Sequence, residues 1–97
     1  MGVTDKGLPA LTYKLDQNYP NPFNPSTRIN FSIPEEGLVS IKVFNILGEA
    51  VTTLVNEQLK SGTYEVNFNA SNLSSGIYFY TITANSYTAT KKMMLMK

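Results

Sequence analysis

With histidine and cysteine both absent, the side chains best suited to acid–base or metal chemistry in this sequence are its seven carboxylates, Asp5, Asp16, Glu35, Glu36, Glu49, Glu57 and Glu65. Without histidine the usual general base near neutral pH and the commonest transition-metal ligand are missing. Without cysteine there is no disulfide framework, thiolate metal site or sulfur nucleophile. Carboxylates alone can hydrolyse a glycoside, but that takes two of them about 5 to 10 Å apart across a cleft. The seven here sit mostly at turns or on the solvent side of alternating stretches, and nothing in their spacing makes two converge. The chain is therefore expected not to be an enzyme and to need no cofactor. Asp16, Asn18, Glu35 or Glu36 would suit calcium if their turns met, yet solvated turn residues describe them better and no metal site is expected. The six glycines are scattered singly, which leaves no phosphate-binding loop. The N-x-S sequons at Asn30, Asn69 and Asn72 are close to chance in a chain rich in Asn and Ser.

Two stretches invite binding in place of catalysis. The first, "NYPNPFNPST", sets Tyr19, Pro20, Asn21, Pro22, Phe23, Asn24 and Pro25 in a row. Each proline removes a backbone donor and restricts the residue before it, so this cannot be a central strand. Its asparagines suit Asx turns, and Tyr19 and Phe23 are expected to act as aromatic plugs pinning it to the body. On composition alone, a stiff edge that fixes the path of the chain and blocks strand addition is preferred to a binding role. The second stretch is the end of the chain, Lys91, Lys92, Met93, Met94, Leu95, Met96 and Lys97. Four consecutive apolar residues between lysines are either a last strand covered on both faces or a strand open to a partner, for which methionine is well adapted. Periodicity does not decide between them.

The elements that must position these stretches are strands. Ile29, Phe31 and Ile33 alternate with polar neighbours, as do Val39, Ile41 and Val43, and then Tyr64, Val66 and Phe68. "IYFYTITA" and "YTATKKMMLM" are joined by the two residues "NS", a loop length suited to a tight hairpin, and "YKLDQ" adds a short strand. In "EAVTTLVNEQL", Val51, Leu54, Val55 and Leu59 fit one helical face, but the β-branched content and the preceding "NILGE" turn favour a strand with an irregularity. Turn residues every 8 to 12 positions complete the pattern of an all-β chain, an immunoglobulin-like antiparallel β-sandwich of about seven strands. No internal repeat or low-complexity tract is evident.

With 97 residues and a net charge of +1, the chain is one domain with no general attraction to nucleic acid or anionic membrane. The charge is uneven, since residues 66 to 97 hold Lys91, Lys92 and Lys97 and no acid. No apolar run approaches the roughly 18 residues of a transmembrane segment, and "MGVTDKGLPA" has no signal-peptide core. Residues 1–12 read as a linker or a tail left by cloning, and 13–97 as the domain.

Taken together, "LDQNYPNPFNPSTRINFSIP", "VFNILGEAV", the L-x-x-G-x-Y pattern from Leu59 to Tyr64, "LSSGIYFY" and the lysine-bounded apolar terminus resemble, in order, the type A C-terminal sorting domain of the type IX (Por) secretion system. The resemblance runs from about Leu15 to Lys97. It implies a non-catalytic C-terminal signal that directs a larger exported protein, fused on its N-terminal side, to the outer-membrane translocon for surface attachment or release. It further implies removal by a cell-surface sortase, which can join the cargo to an anionic lipopolysaccharide. The protein would then pass through the periplasm to the outer-membrane surface or the extracellular space. Carried onto this sequence, the family's N-terminal motif falls on Asn21, Pro22 and Phe23, its glycine turn on Gly48, its G-x-Y on Gly76 and Tyr78, and its terminal signal on Lys92 to Lys97, with Gly62 in the L-x-x-G-x-Y pattern. Gly48 and Gly76 are expected to serve backbone turns first, the tail to carry recognition, and the cut to fall between about Gly2 and Lys14.

Two other readings stay open. Related "NPF" and "GxxV" patterns resemble the C-terminal part of flagellar hook-capping proteins, which would make this a structural module; a terminus directly after the last strand favours sorting. A carbohydrate-binding or adhesion module would need exposed aromatics, for which Tyr13, Tyr19, Tyr78, Tyr80 and Tyr87 are candidates.

Overall fold

The computed structural model describes residues 2–97. The period-2 stretches become β3 (Ser26–Ile33), β4 (Gly37–Phe44), β6 (Gly62–Asn69), β7 (Gly76–Ala84) and β8 (Tyr87–Leu95), with β1 (Val3–Asp5), β2 (Lys14–Leu15) and β5 (Ala50–Leu59) completing the set. They form two four-stranded antiparallel sheets in the orders β1-β6-β3-β2 and β5-β4-β7-β8, an immunoglobulin-like sandwich. Ile29, Phe31, Ile33, Val66 and Phe68 of the first sheet face Val39, Ile41, Val43, Tyr80 and Ile82 of the second, all buried. Among the described residues there is no helix, and so none long and apolar enough to cross a membrane.

The irregular strand is β5. Its pairing with β4 slips between Ile41 and Lys42 and again between Val43 and Phe44, so Leu54 and Val51 are the extra residues of two bulges. A bulge resets the in–out alternation, which is why Leu54 and Val55 are both buried although adjacent. That local doubling produces the helix-like spacing in the sequence. The strand beyond the expected seven is β1, in the stretch read as linker or tail; three residues are too few to show a period. It pairs with β6 through Val3 opposite Val66 and Asp5 opposite Tyr64.

The six-residue pattern Leu-x-Ser-Gly-x-Tyr occurs twice, from Leu59 to Tyr64 and from Leu73 to Tyr78. In both, the tyrosine hydroxyl turns back to the carbonyl four residues earlier: Tyr64 donates to the Lys60 oxygen at 2.6 Å and Tyr78 to the Ser74 oxygen at 2.8 Å. Each pins the corner by which the chain enters a strand, in the manner of a tyrosine corner. Gly48 serves the other expected turn. With φ of 82° it occupies the left-handed region, and the turn is closed by Asn45, whose Oδ1 accepts from the amides of Leu47 and Glu49 at 2.9 and 3.0 Å.

The proline segment crosses from sheet one to the edge of sheet two, with its Tyr19–Pro20, Asn21–Pro22 and Asn24–Pro25 bonds cis. Phe23 is its anchor, 2% exposed, its ring tilted against Phe68 at 6.0 Å between centroids. Tyr19 is not a plug: it is 69% exposed. Its backbone pairs with Arg28 of β3, so that Asn18 turns inward and Tyr19 outward. Replacing Phe23 with alanine is expected to cost about 3 to 5 kcal/mol of unfolding free energy in urea titration, as for other buried phenylalanines; a loss under about 0.5 kcal/mol would contradict its place in the core.

Candidate functional site

The proline segment and the end of β8 form one site. The Phe23 amide donates to the Met94 carbonyl and the Met96 amide to the Phe23 carbonyl, both at 2.9 Å, a parallel bridge centred on Leu95. The Asn21 Oδ1 accepts from the Met94 amide at 3.0 Å, and the Gln17 Nε2 donates to the Lys92 carbonyl at 2.6 Å. The outward backbone groups at the end of β8 are thus taken up by a segment whose prolines cannot extend the sheet further. The chain end is fastened as well: the Lys97 amide donates to the Ser75 Oγ at 3.2 Å and its Nζ to the Ser71 carbonyl at 2.7 Å.

Alternation along β8 divides the tail in two. Met93 and Leu95 are 1% exposed and belong to the core, whereas Met94 and Met96 are 40% and 54% exposed. Both alternatives left by the sequence are therefore half true: one face is covered and the other open. Lys91 lies opposite Tyr80 on the inward-facing register yet is exposed, a charge placed where it disfavours edge-to-edge pairing. On the open face, Ile77 sits across from Met94. A depression of about 340 Å³ runs between Ser75, Gly76, Ile77, Met94 and Met96, and a second of about 220 Å³ between Asn21, Pro22, Ile77 and Met94. The G-x-Y glycine thus adjoins the tail, since Gly76 lines the first depression together with Met94 and Met96. Asn24 is exposed, Pro25 half-buried with its carbonyl accepting from the Ala70 amide, Gly62 buried, and Gly48 lies apart in the β4–β5 turn.

Sequence reasoning missed the polar joint beneath this surface. The Tyr80 hydroxyl, fully buried, donates to the Asp16 carbonyl at 2.7 Å and accepts from the Asn18 amide at 2.8 Å. Buried Asn18 reaches the Pro20 carbonyl and Thr27 Oγ1, each at 3.1 Å, and Thr27 in turn donates to the same carbonyl at 2.8 Å. No buried side-chain polar atom among the described residues lacks a partner. The only available signal was a tyrosine at a core position of β7, where its hydroxyl must find something to bond.

The carboxylates stay apart: among the described residues no three come together as a metal site would need. Asn18, one of the candidate calcium ligands, is spent on hydrogen bonds within the fold. The tyrosines of a sugar platform are likewise divided. Tyr78 and Tyr80 are buried, while Tyr13 stacks on Tyr87 at 5.0 Å and Tyr19 stands alone.

Among models of protein families, the secretion system C-terminal sorting domain matches residues 17–96. No curated protein matches the chain.

Burial raises the Tyr80 hydroxyl to about pKa 12; the Asn18 amide lowers it and the Asp16 carboxylate raises it further. Burial, then the charges of Asp5 and Glu57, also raise Tyr64. Unfolded tyrosine loses its proton near pH 10. Above that pH the unfolded chain binds fewer protons than the folded one, so stability falls with rising pH. Between about pH 10 and 12, Tyr80 should remove on the order of 2 kcal/mol. Urea titrations at pH 9 and pH 12 should show a smaller fall for Tyr80→Phe than for the parent; equal falls would refute the assignment.

Proposed function

The chain belongs to the family of secretion system C-terminal sorting domains, the sorting tails of type IX secretion, and from that membership we propose that it is the detachable label by which a larger protein, fused on its N-terminal side, leaves the cell. Domains of this family are generally non-catalytic, and this one is proposed to do no chemistry of its own. Residues 13–97 are the label and residues 1–12 the connection to the cargo. The route runs through the periplasm to the translocon, and then to the outer-membrane surface or the medium. A cell-surface sortase is the second partner, cutting between about Gly2 and Lys14 and able to pass the cargo to lipopolysaccharide.

The observation that carries this reading is the division of β8. Met93 and Leu95 hold the last strand in the core while Met94, Met96 and Lys92 stay available on its other face. A terminal signal must be both folded and legible, and alternation achieves this in one strand. Tyr19 to Pro25, Gly48, Gly62, Gly76 and Tyr78 then act as fold determinants that seat it. The scattered tyrosines lend no support to a carbohydrate platform.

The test places the whole chain behind a signal peptide and a reporter in a bacterium with a type IX system. The reporter is expected outside the cell, and removal of Met93 to Lys97 should hold it in the periplasm. Because that deletion also empties core positions, Met94→Ser with Met96→Ser is the second variant; both residues are exposed, so the fold should survive while export drops at least about fivefold. A periplasmic reporter with the intact chain, or full export without the tail, would end the sorting assignment.

A further inference from the structure

The open face of the tail does not stop at β8. Phe44 of β4 lies opposite Phe79 of β7, which lies opposite Lys92 of β8. The next row outward is Ile77 opposite Met94, and Ile46, in the β4–β5 turn, follows Phe44 by two residues. Ile46 and its neighbour Leu47 are 71% and 78% exposed. These are not residues of a loose loop. The turn around them is fixed by both amide bonds to Asn45 Oδ1 and by the Gly48 amide donating to the Asn45 carbonyl at 3.0 Å. Holding two bare aliphatic side chains in water on a rigid turn gains nothing for the fold, and they follow Phe44, from which the register leads through Phe79 to the apolar end of the sheet at Ile77 and Met94.

Charge identifies what would cover it. Lys92 lies opposite Phe79, Lys97 lines the first depression and Lys42 precedes Phe44 by two positions on β4, and the only ion pair among the described residues, Lys14 with Asp16 at 3.5 Å, involves none of them. The one carboxylate of the turn, Glu49, accepts from the Asn45 Nδ2 at 2.9 Å. The two depressions meeting at Ile77 and Met94 are of a size to take side chains singly, which suits a protein surface better than fluid acyl chains.

We propose that the surface gripped during export extends from the C-terminal strand across β7 to the β4–β5 turn, with Ile46 and Leu47 as its second anchor, and that its partner is a protein face presenting apolar side chains ringed by Asp and Glu. The inference rests on the export reading and adds to it a region far from the chain terminus in sequence. Methionine and the turn aliphatics fill the partner's recesses, and the lysines set orientation and speed of encounter.

The reporter fusion tests it with Ile46→Ser together with Leu47→Ser, and separately with Lys92→Glu. Both changes lie on exposed positions, so thermal unfolding of the purified chain should stay within about 2 °C of the parent. Export is expected to fall at least about fivefold in each, the loss of roughly 1 kcal/mol of docking free energy. Parent-like export from the correctly folded turn variant would overturn the second anchor and leave the tail reading standing. Failure of the parent fusion to leave the cell would overturn the export reading and this inference with it. Co-sedimentation of the parent with phosphatidylglycerol vesicles, lost in the turn variant, would replace the protein partner with a lipid surface and also overturn the proposal.

Discussion

Phe23 joins the two ends of the domain with its backbone and its ring at once. Its amide and carbonyl hold Met94 and Met96 at the edge of β8, while its side chain fills the core beside Phe68. The two contacts need each other. A proline-flanked segment has few backbone donors to offer, so two edge bonds alone would not hold it. A buried phenylalanine without them would leave amides of the last strand unpaired at the protein's margin. The Tyr80 joint makes the arrangement rigid by tying the approach to this segment, Asp16 and Asn18, to the middle of β7. Consequently the exposed methionines stand on a surface fixed from three directions.

Most of the scaffold was legible because its residues obey a single rule over long enough stretches. Ile29, Phe31 and Ile33, or Tyr64, Val66 and Phe68, announce both a strand and the face it buries. Where the rule is interrupted, the sequence misleads in a definite way. Two bulges in β5 place Leu54 and Val55 on one side and imitate helical spacing. Three residues at β1 are too few to show any period. Tyr19 looked like an anchor because it is aromatic, but its pairing with Arg28 fixes its parity outward, and parity outranks hydrophobicity at a strand edge.

The site was only half legible for a different reason. Composition identified the proline segment and the tail, each unusual in itself, but not that they touch. Their contact rests on residues about seventy positions apart, and no local pattern encodes such a distance. The polar joint of Asn18, Thr27 and Tyr80 is equally silent, since each residue type is ordinary where it stands. The repeated Leu-x-Ser-Gly-x-Tyr corners show the converse. Two short matches were too brief to count as a repeat, yet a shared hydrogen bond shows them to be the same device used twice.

The bridge between Phe23 and Leu95 also sets an order in time. During synthesis the proline segment emerges before β8, so the edge that Phe23 completes does not exist until β8 is free to pair. A chain broken off before Met93 lacks core residues, the partner of Phe23 and the exposed methionines together. The exposed methionines therefore stand on a strand edge that is complete only once the two parts of the domain, distant in sequence, have closed on each other.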